Sequence, residues 1–181
     1  MVEELAVMCD RISLTEGEKE GITIVEGEIK DLRQKGERCI VGRIGSEKRI
    51  NKEAFMVMIR RLWKIVGNIV FKELQDNMWL FEFSKVEDKC RVLEGRPWLF
   101  DRYILILNEF DGSPPSQMDF SKSPFWIQIH DMPLVCMNGG VGRKIGTSLG
   151  EVWDVDVAGD GVGWGSFLWV RVLLDLLKPL E

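Results

Sequence analysis

Apolar positions change period several times along the 181-residue chain, and each change marks a predicted element. Residues 39–44 form a short apolar run, broken by Gly42, that predicts a buried strand. Over residues 52–67, Phe55, Ile59, Leu62 and Val66 fall on one stripe, with Glu53, Val57, Arg60, Arg61 and Lys64 on the other side. This predicts an amphipathic helix, capped by Asn51 and ended by Gly67. Residues 69–74 and 78–84 predict two strands around the turn-forming triplet Gln75, Asp76 and Asn77, hence a hairpin. In the second of them Trp79, Phe81 and Phe83 alternate to one face, and Met78, Leu80 and Glu82 to the other. Val86, Cys90 and Leu93 predict a second helix ending at Gly95 with Pro97 just beyond, and residues 103–107 a further strand.

From 39 to 110 the order is therefore strand, helix, strand, strand, helix, strand. That order predicts an α+β, ferredoxin-like βαββαβ sandwich of the kind found in RNA-recognition motifs, with both helices on one face of the sheet. Residues 1–38 read as an N-terminal arm. It holds a short helix over 2–12, a capping box formed by Thr15 and Glu18, and a strand over 21–28. Residues 111–124 are rich in Gly, Ser and Pro and predict a linker. Residues 125–181 then repeat strand, helix, strand, strand, a partial βαββ unit. Its elements are a strand over 125–130, a glycine-weakened helix over 138–149, and strands over 151–158 and 167–174 around the turn 159–165.

Composition narrows the class. With 45% hydrophobic and 29% charged residues the chain is of globular type, and no run of apolar residues is long enough to span a membrane. Four cysteines without a Cys-x-x-Cys pair and a single histidine exclude a zinc finger within this sequence. The absence of a signal-peptide pattern predicts an intracellular protein with free, core-packed thiols. The net charge of −5 excludes gripping nucleic acid by bulk positive charge. The balance is uneven, however: −4 over 1–38, +5 over 39–75 and −6 over 76–181. Any contact with nucleic acid must be local to that basic island.

The ordered set Val41-Gly42-Arg43, Leu62-Trp63, Phe81-Glu82-Phe83, Val92 to Trp98, and Pro124 to Ile129 resembles the plant domain of unknown function 4283. Ile145-Gly146, Leu149-Gly150, Val170-Arg171-Val172, Asp175 and Lys178-Pro179-Leu180 extend the resemblance over nearly the whole chain. It implies a part of a retrotransposon-derived protein, usually followed by a knuckle of three cysteines and a histidine, with a role in handling the element's RNA. No knuckle pattern occurs within these residues, so zinc is not expected here.

Candidate chemistry follows from the same residues. RNA-recognition motifs stack bases on aromatics of the two central strands. Here those places hold Ile40, Met78 and Leu80, with Trp79 where a small residue belongs, so an apolar platform covered by the tail unit or by residues 1–38 is expected. Lys48, Arg49, Lys52, Arg60, Arg61 and Lys64 form a basic set, turned away from the platform, able to neutralise phosphates without reading sequence. His130 beside Asp131 lacks a second catalytic partner, so a structural role is expected. Asp154 and Asp156, with Asp160 after them, read as the polar side of a strand whose other face carries Trp153, Val155 and Val157. Residues 139–148 fail as a phosphate loop, because Ile145 and Gly146 separate Lys144 from Thr147. The tryptophans are expected mostly in the core, with Trp164 the most exposed. The expectation is a non-enzymatic module without cofactor or small-molecule substrate, whose partner is RNA or single-stranded DNA. The alternative is protein interaction or self-assembly through the unfinished second sheet.

Overall fold

The structure, a computed structural model, describes residues 26–75 and 77–179. The helix expected over 2–12 and the capping box of Thr15 and Glu18 lie outside the described residues, as does most of the strand expected over 21–28. Its last residues instead begin a helix, α1 (Glu26–Gly36). The chain is α+β, with two antiparallel sheets and four α-helices among the described residues.

The first sheet is built from β1 (Cys39–Ile44), β2 (Ile69–Gln75), β3 (Met78–Phe83), β4 (Trp98–Phe100) and β5 (Tyr103–Glu109). Its order is β2-β3-β1-β5-β4, with β1 and β3 in the middle. The short strand β4 was not expected. It is turned back onto β5 by Asp101 and Arg102, both in the left-handed region (φ 48° and 68°), the conformation that closes a two-residue hairpin with the native twist.

Helices α2 (Lys52–Leu62) and α3 (Val86–Glu94) pack on one face of this sheet. There Phe55, Ile59 and Trp63 meet Ile40, Ile44, Trp79, Phe81, Phe83, Leu105 and Leu107. Phe55, Phe81 and Trp63 are almost completely buried, so truncating any one to alanine is expected to cost about 3–5 kcal/mol. Asn51 caps α2 as expected, its Oδ1 accepting the Ala54 N–H at 3.0 Å. The helix ends earlier than Gly67. Trp63 closes it and Lys64 turns left-handed (φ 47°), so Val66 leaves the apolar stripe and stands exposed.

α3 presents a different face from the one its apolar spacing suggested. Val86 and Cys90 are exposed, whereas Asp88, Lys89, Val92 and Leu93 are buried. Two hydrogen-bonded polar residues account for the shift. Asp88 accepts the N–H groups of Gly67 (2.8 Å) and Val66 (3.3 Å), and Lys89 donates to the Glu37 carbonyl at 2.8 Å. Buried polar groups satisfied in this way replace apolar ones at the helix–sheet contact.

The opposite face of the sheet carries Val41, Met78, Leu80, Ile104 and Ile106. It is covered by protein, but mainly not by the parts expected: Phe110, Met118 and Phe120, the last two from the stretch read as a linker, pack against it, and only Leu176 comes from the tail. Ile40 is not part of this platform. It points into the helical core, and Val41, one residue on, takes the platform position because successive strand residues face opposite ways.

The second sheet contains β6 (Lys122–His130), β7 (Glu151–Val155) and β8 (Phe167–Asp175) in the order β6-β8-β7. Helix α4 (Gly139–Gly146) lies on one face, capped by Asn138, whose Oδ1 accepts the Val141 N–H. The glycines that weaken α4 as a helix are what allow it this close to the sheet. A Cβ at Gly142 would stand 2.8 Å from Leu168 Cδ2, and one at Gly146 2.7 Å from Val152 Cγ2. A bulge between Val152 and Asp154 disrupts the alternation of β7. Val152 and Val155 therefore reach the core under α4, and Trp153 stands apart from Val155, exposed on the surface. The tryptophans are also less buried than expected: Trp63 and Trp79 are core residues, while Trp126, Trp153 and Trp164 are exposed.

Candidate functional site

The six basic residues of the expected set do not all line one groove. Lys48 and Arg49, in the loop after β1, and Arg61, on α2, line a single open groove of about 1030 Å³. Val57 and Met58 of α2 and Phe100, Asp101 and Tyr103 of the β4–β5 hairpin complete its walls, with Glu53 at the rim. Lys52 is instead ion-paired with Glu73, and the Arg60 guanidinium lies over the ring of Phe71 at 5.1 Å, so both serve the β2 side of the helix. Lys64 sits beyond the C-terminal end of α2, where its carbonyl accepts from Arg91.

The loop that carries Lys48 and Arg49 is held from below by Asn77. This residue occupies the β2–β3 turn with φ 59°, a conformation asparagine tolerates better than most residues. Its buried side-chain amide donates to the carbonyls of Ser46 (2.7 Å) and Lys48 (2.9 Å). Ser46 tightens the same loop, its hydroxyl oxygen accepting the Lys48 N–H at 3.1 Å. The loop therefore presents its cations from a fixed backbone. Sequence reasoning marked Asn77 only as a turn former and missed Tyr103, the chain's single tyrosine, whose place in the groove depends on the β4–β5 hairpin.

The groove contains three cations against the two carboxylates of Glu53 and Asp101, an amphipathic ring and apolar walls. Such a set can neutralise phosphate oxygens and give a base or sugar an apolar seat. The apolar platform on the other face of the sheet offers no such surface, since Val41, Met78 and Ile106 are buried beneath Phe120.

The remaining candidates do not converge. His130, at the end of β6, faces the Phe167 ring at 5.3 Å and lies within 3.2 Å of Gln128 Oε1. Strand β8 separates it from Asp154 and from Asp156 just past β7, and Asp160 is engaged with the Val162 N–H. Among the described residues no group of three or more His, Cys, Asp or Glu side chains is arranged to hold a metal. The hydroxyls of Thr147 and Ser148 donate to carbonyls of their own helix, at Arg143 and Ile145. Cys39, Cys90 and Cys136 are free thiols. Burial pushes the Cys39 thiol up and nearby Glu82 adds to that, so it is the less reactive, protonated form that sits there. No described helix is long and apolar enough to cross a membrane.

An α+β protein whose first sheet presents a basic groove is a broad class, and comparison with known families narrows it. Residues 32–113 match the family described as domain of unknown function (DUF4283). The matched span contains the whole first sheet, α2, α3 and the groove. The resemblance carried by Pro124 to Ile129 and by Val170 to Leu180 lies outside it. No curated protein matches the chain.

Proposed function

We propose that the first sheet with α2 and α3 is a ferredoxin-like sandwich related to RNA-recognition motifs, its final strand elaborated into the β4–β5 hairpin, and that β6 to β8 with α4 form a partial βαββ unit. In this reading the protein is a non-enzymatic, nucleic-acid-associated module of a retroelement-derived plant protein, and it contacts RNA or single-stranded DNA without sequence specificity. One observation carries the proposal: Lys48, Arg49 and Arg61 line one groove together with Tyr103. Contact through this groove, rather than through the sheet platform, distinguishes it from the usual recognition-motif mode.

A second reading is supported by the order β6-β8-β7, which leaves β6 and β7 as the edges of a small sheet. Unpaired edges recruit strands from other chains, and self-assembly without nucleic-acid affinity would follow.

Fluorescence anisotropy with a single-stranded oligouridylate, over a range of salt concentrations, separates the two. Three phosphates neutralised by Lys48, Arg49 and Arg61 give a log–log salt slope of about −2. Lys48→Glu combined with Arg61→Glu abolishes binding at moderate salt, whereas Lys64→Glu changes it little. Dimers that grow with concentration, together with no affinity for the strand even at low salt, would overturn the nucleic-acid reading.

A further inference from the structure

The outer face of the second sheet, away from α4, carries Trp126 on β6, Phe167 and Trp169 on β8, and Trp153 on β7. Trp126 and Trp169 meet edge to face at 6.4 Å, and Trp169 and Phe167 at 5.5 Å. Two carboxylates share this face: Asp154 is in register with Arg171, and the Asp156 N–H donates to the Trp169 carbonyl. Trp126, Trp169, Asp154 and Asp156, with Val155 and Val157, line one open pocket of about 610 Å³.

The carboxylates have capacity to spare. Among the described residues Asp154 accepts only the N–H of adjacent Val155, and Asp156 has no side-chain hydrogen bond or ion pair. The chain also supplies an internal precedent for what this face accepts. Arg171 lays its guanidinium over Trp126 at 5.7 Å and over Trp153 at the same distance. Indole faces carry negative quadrupole potential and attract planar cations, and a carboxylate beside them adds a charge-assisted hydrogen bond. Phosphate meets the opposite situation, repelled by Asp154 and Asp156, while the cation on this face, Arg171, is already committed to Trp126, Trp153 and main-chain carbonyls.

We propose that this pocket binds an arginine-bearing peptide segment of another protein, with the guanidinium packed against the pocket-lining surfaces of Trp126 and Trp169 and hydrogen-bonded to Asp154 and Asp156. Arginine is favoured over lysine because its flat, weakly hydrated head both stacks on rings and forks onto carboxylates. The site is separate from the basic groove, so it stands or falls independently of the nucleic-acid reading.

The test uses the full chain and a short fluorescent peptide of alternating arginine and glycine, with a citrulline counterpart that keeps the shape and removes the charge. The arginine peptide is expected to bind and to change tryptophan emission, and the citrulline peptide is not. Asp154→Asn with Asp156→Asn, isosteric and on exposed positions, weakens binding about tenfold, as does Trp126→Ala. Circular dichroism confirms that both variants keep the native fold. Equal binding of the citrulline peptide, unchanged affinity in the asparagine variant, or no binding of the arginine peptide would overturn the assignment. So would a single-stranded oligouridylate that binds more weakly to Trp126→Ala and more tightly to the asparagine variant, since the occupant would then be nucleic acid.

Discussion

Arg96 and Arg171 meet side by side despite their like charge. Arg171 donates to the Arg96 carbonyl at 3.1 Å, and the two guanidinium groups lie over the same ring, that of Trp153, at 5.2 and 5.7 Å. Burial, and then the charge of Arg171, hold the Arg96 pKa below its ordinary value. The repulsion is offset by Trp153 and by the carbonyls of Leu93 and Leu107, which accept from Arg96. Trp153→Ala is therefore expected to destabilise the protein by about 1–2 kcal/mol, with Trp153→Phe losing less because a ring face remains. Urea denaturation of the two variants checks the order.

Asp88 couples stability to pH. Burial acts against its charge, but the N–H groups of Gly67 and Val66 and the guanidinium of Arg91 outweigh it and hold the carboxyl below its ordinary 3.8. A folded-state pKa below the unfolded one gives stability that is complete above the unfolded value and is lost as pH falls through the folded one. At neutral pH Asp88→Asn should be less stable than the parent by about 2 kcal/mol. Unfolding curves recorded down a series of acidic buffers should show that gap shrinking. A gap that stays constant would assign the effect to shape rather than charge.

The glycines of α4 reverse the usual rule for helices. Replacing a helical glycine by alanine ordinarily gains up to about 1 kcal/mol. At Gly142 and Gly146 the new methyl would meet Leu168, Val152 or Val170 at under 3 Å, so both substitutions should lower the melting temperature, by an overpacking cost of about 1–3 kcal/mol. Gly139→Ala, whose nearest neighbour is Val157 Cγ2 at 3.7 Å, should be neutral or stabilising. Thermal melts of the three variants suffice.

Asn77 links stability to the groove. Asn77→Ala removes both amide donors to the Lys48 loop and places alanine in a left-handed conformation, at an expected cost of about 2–3 kcal/mol. Asn77→Gly relieves the backbone strain yet still frees the loop. If the groove binds nucleic acid, the glycine variant should lose affinity for oligouridylate out of proportion to its modest loss of stability.

Local pattern revealed those parts of the molecule that local physics decides. The strand Cys39–Ile44, the Asn51 cap and the hairpin through Asn77 each follow from residues within a few positions of one another. The phase of α3 does not, because Asp88 faces inward to serve backbone groups about twenty residues away at Val66 and Gly67. The bulge at Trp153 shifts an alternating strand by one position without any glycine to announce it. Of the six basic residues read as one set, all stand exposed, but Lys48, Arg49 and Arg61 are the three that line the groove. Sequence had no means of knowing that Glu73 and Phe71 would draw Lys52 and Arg60 aside, or that Tyr103 would arrive from a separate hairpin.

Phe120 and Leu176 come late in the chain, both past residue 113, yet they complete the packing around Val41 and Met78. Excision at the family boundary would bare a greasy plate the width of several strands, and such a fragment would clump or seek a substitute cover. The smallest piece that keeps this surface dry therefore runs just past the end of β8, to include Leu176.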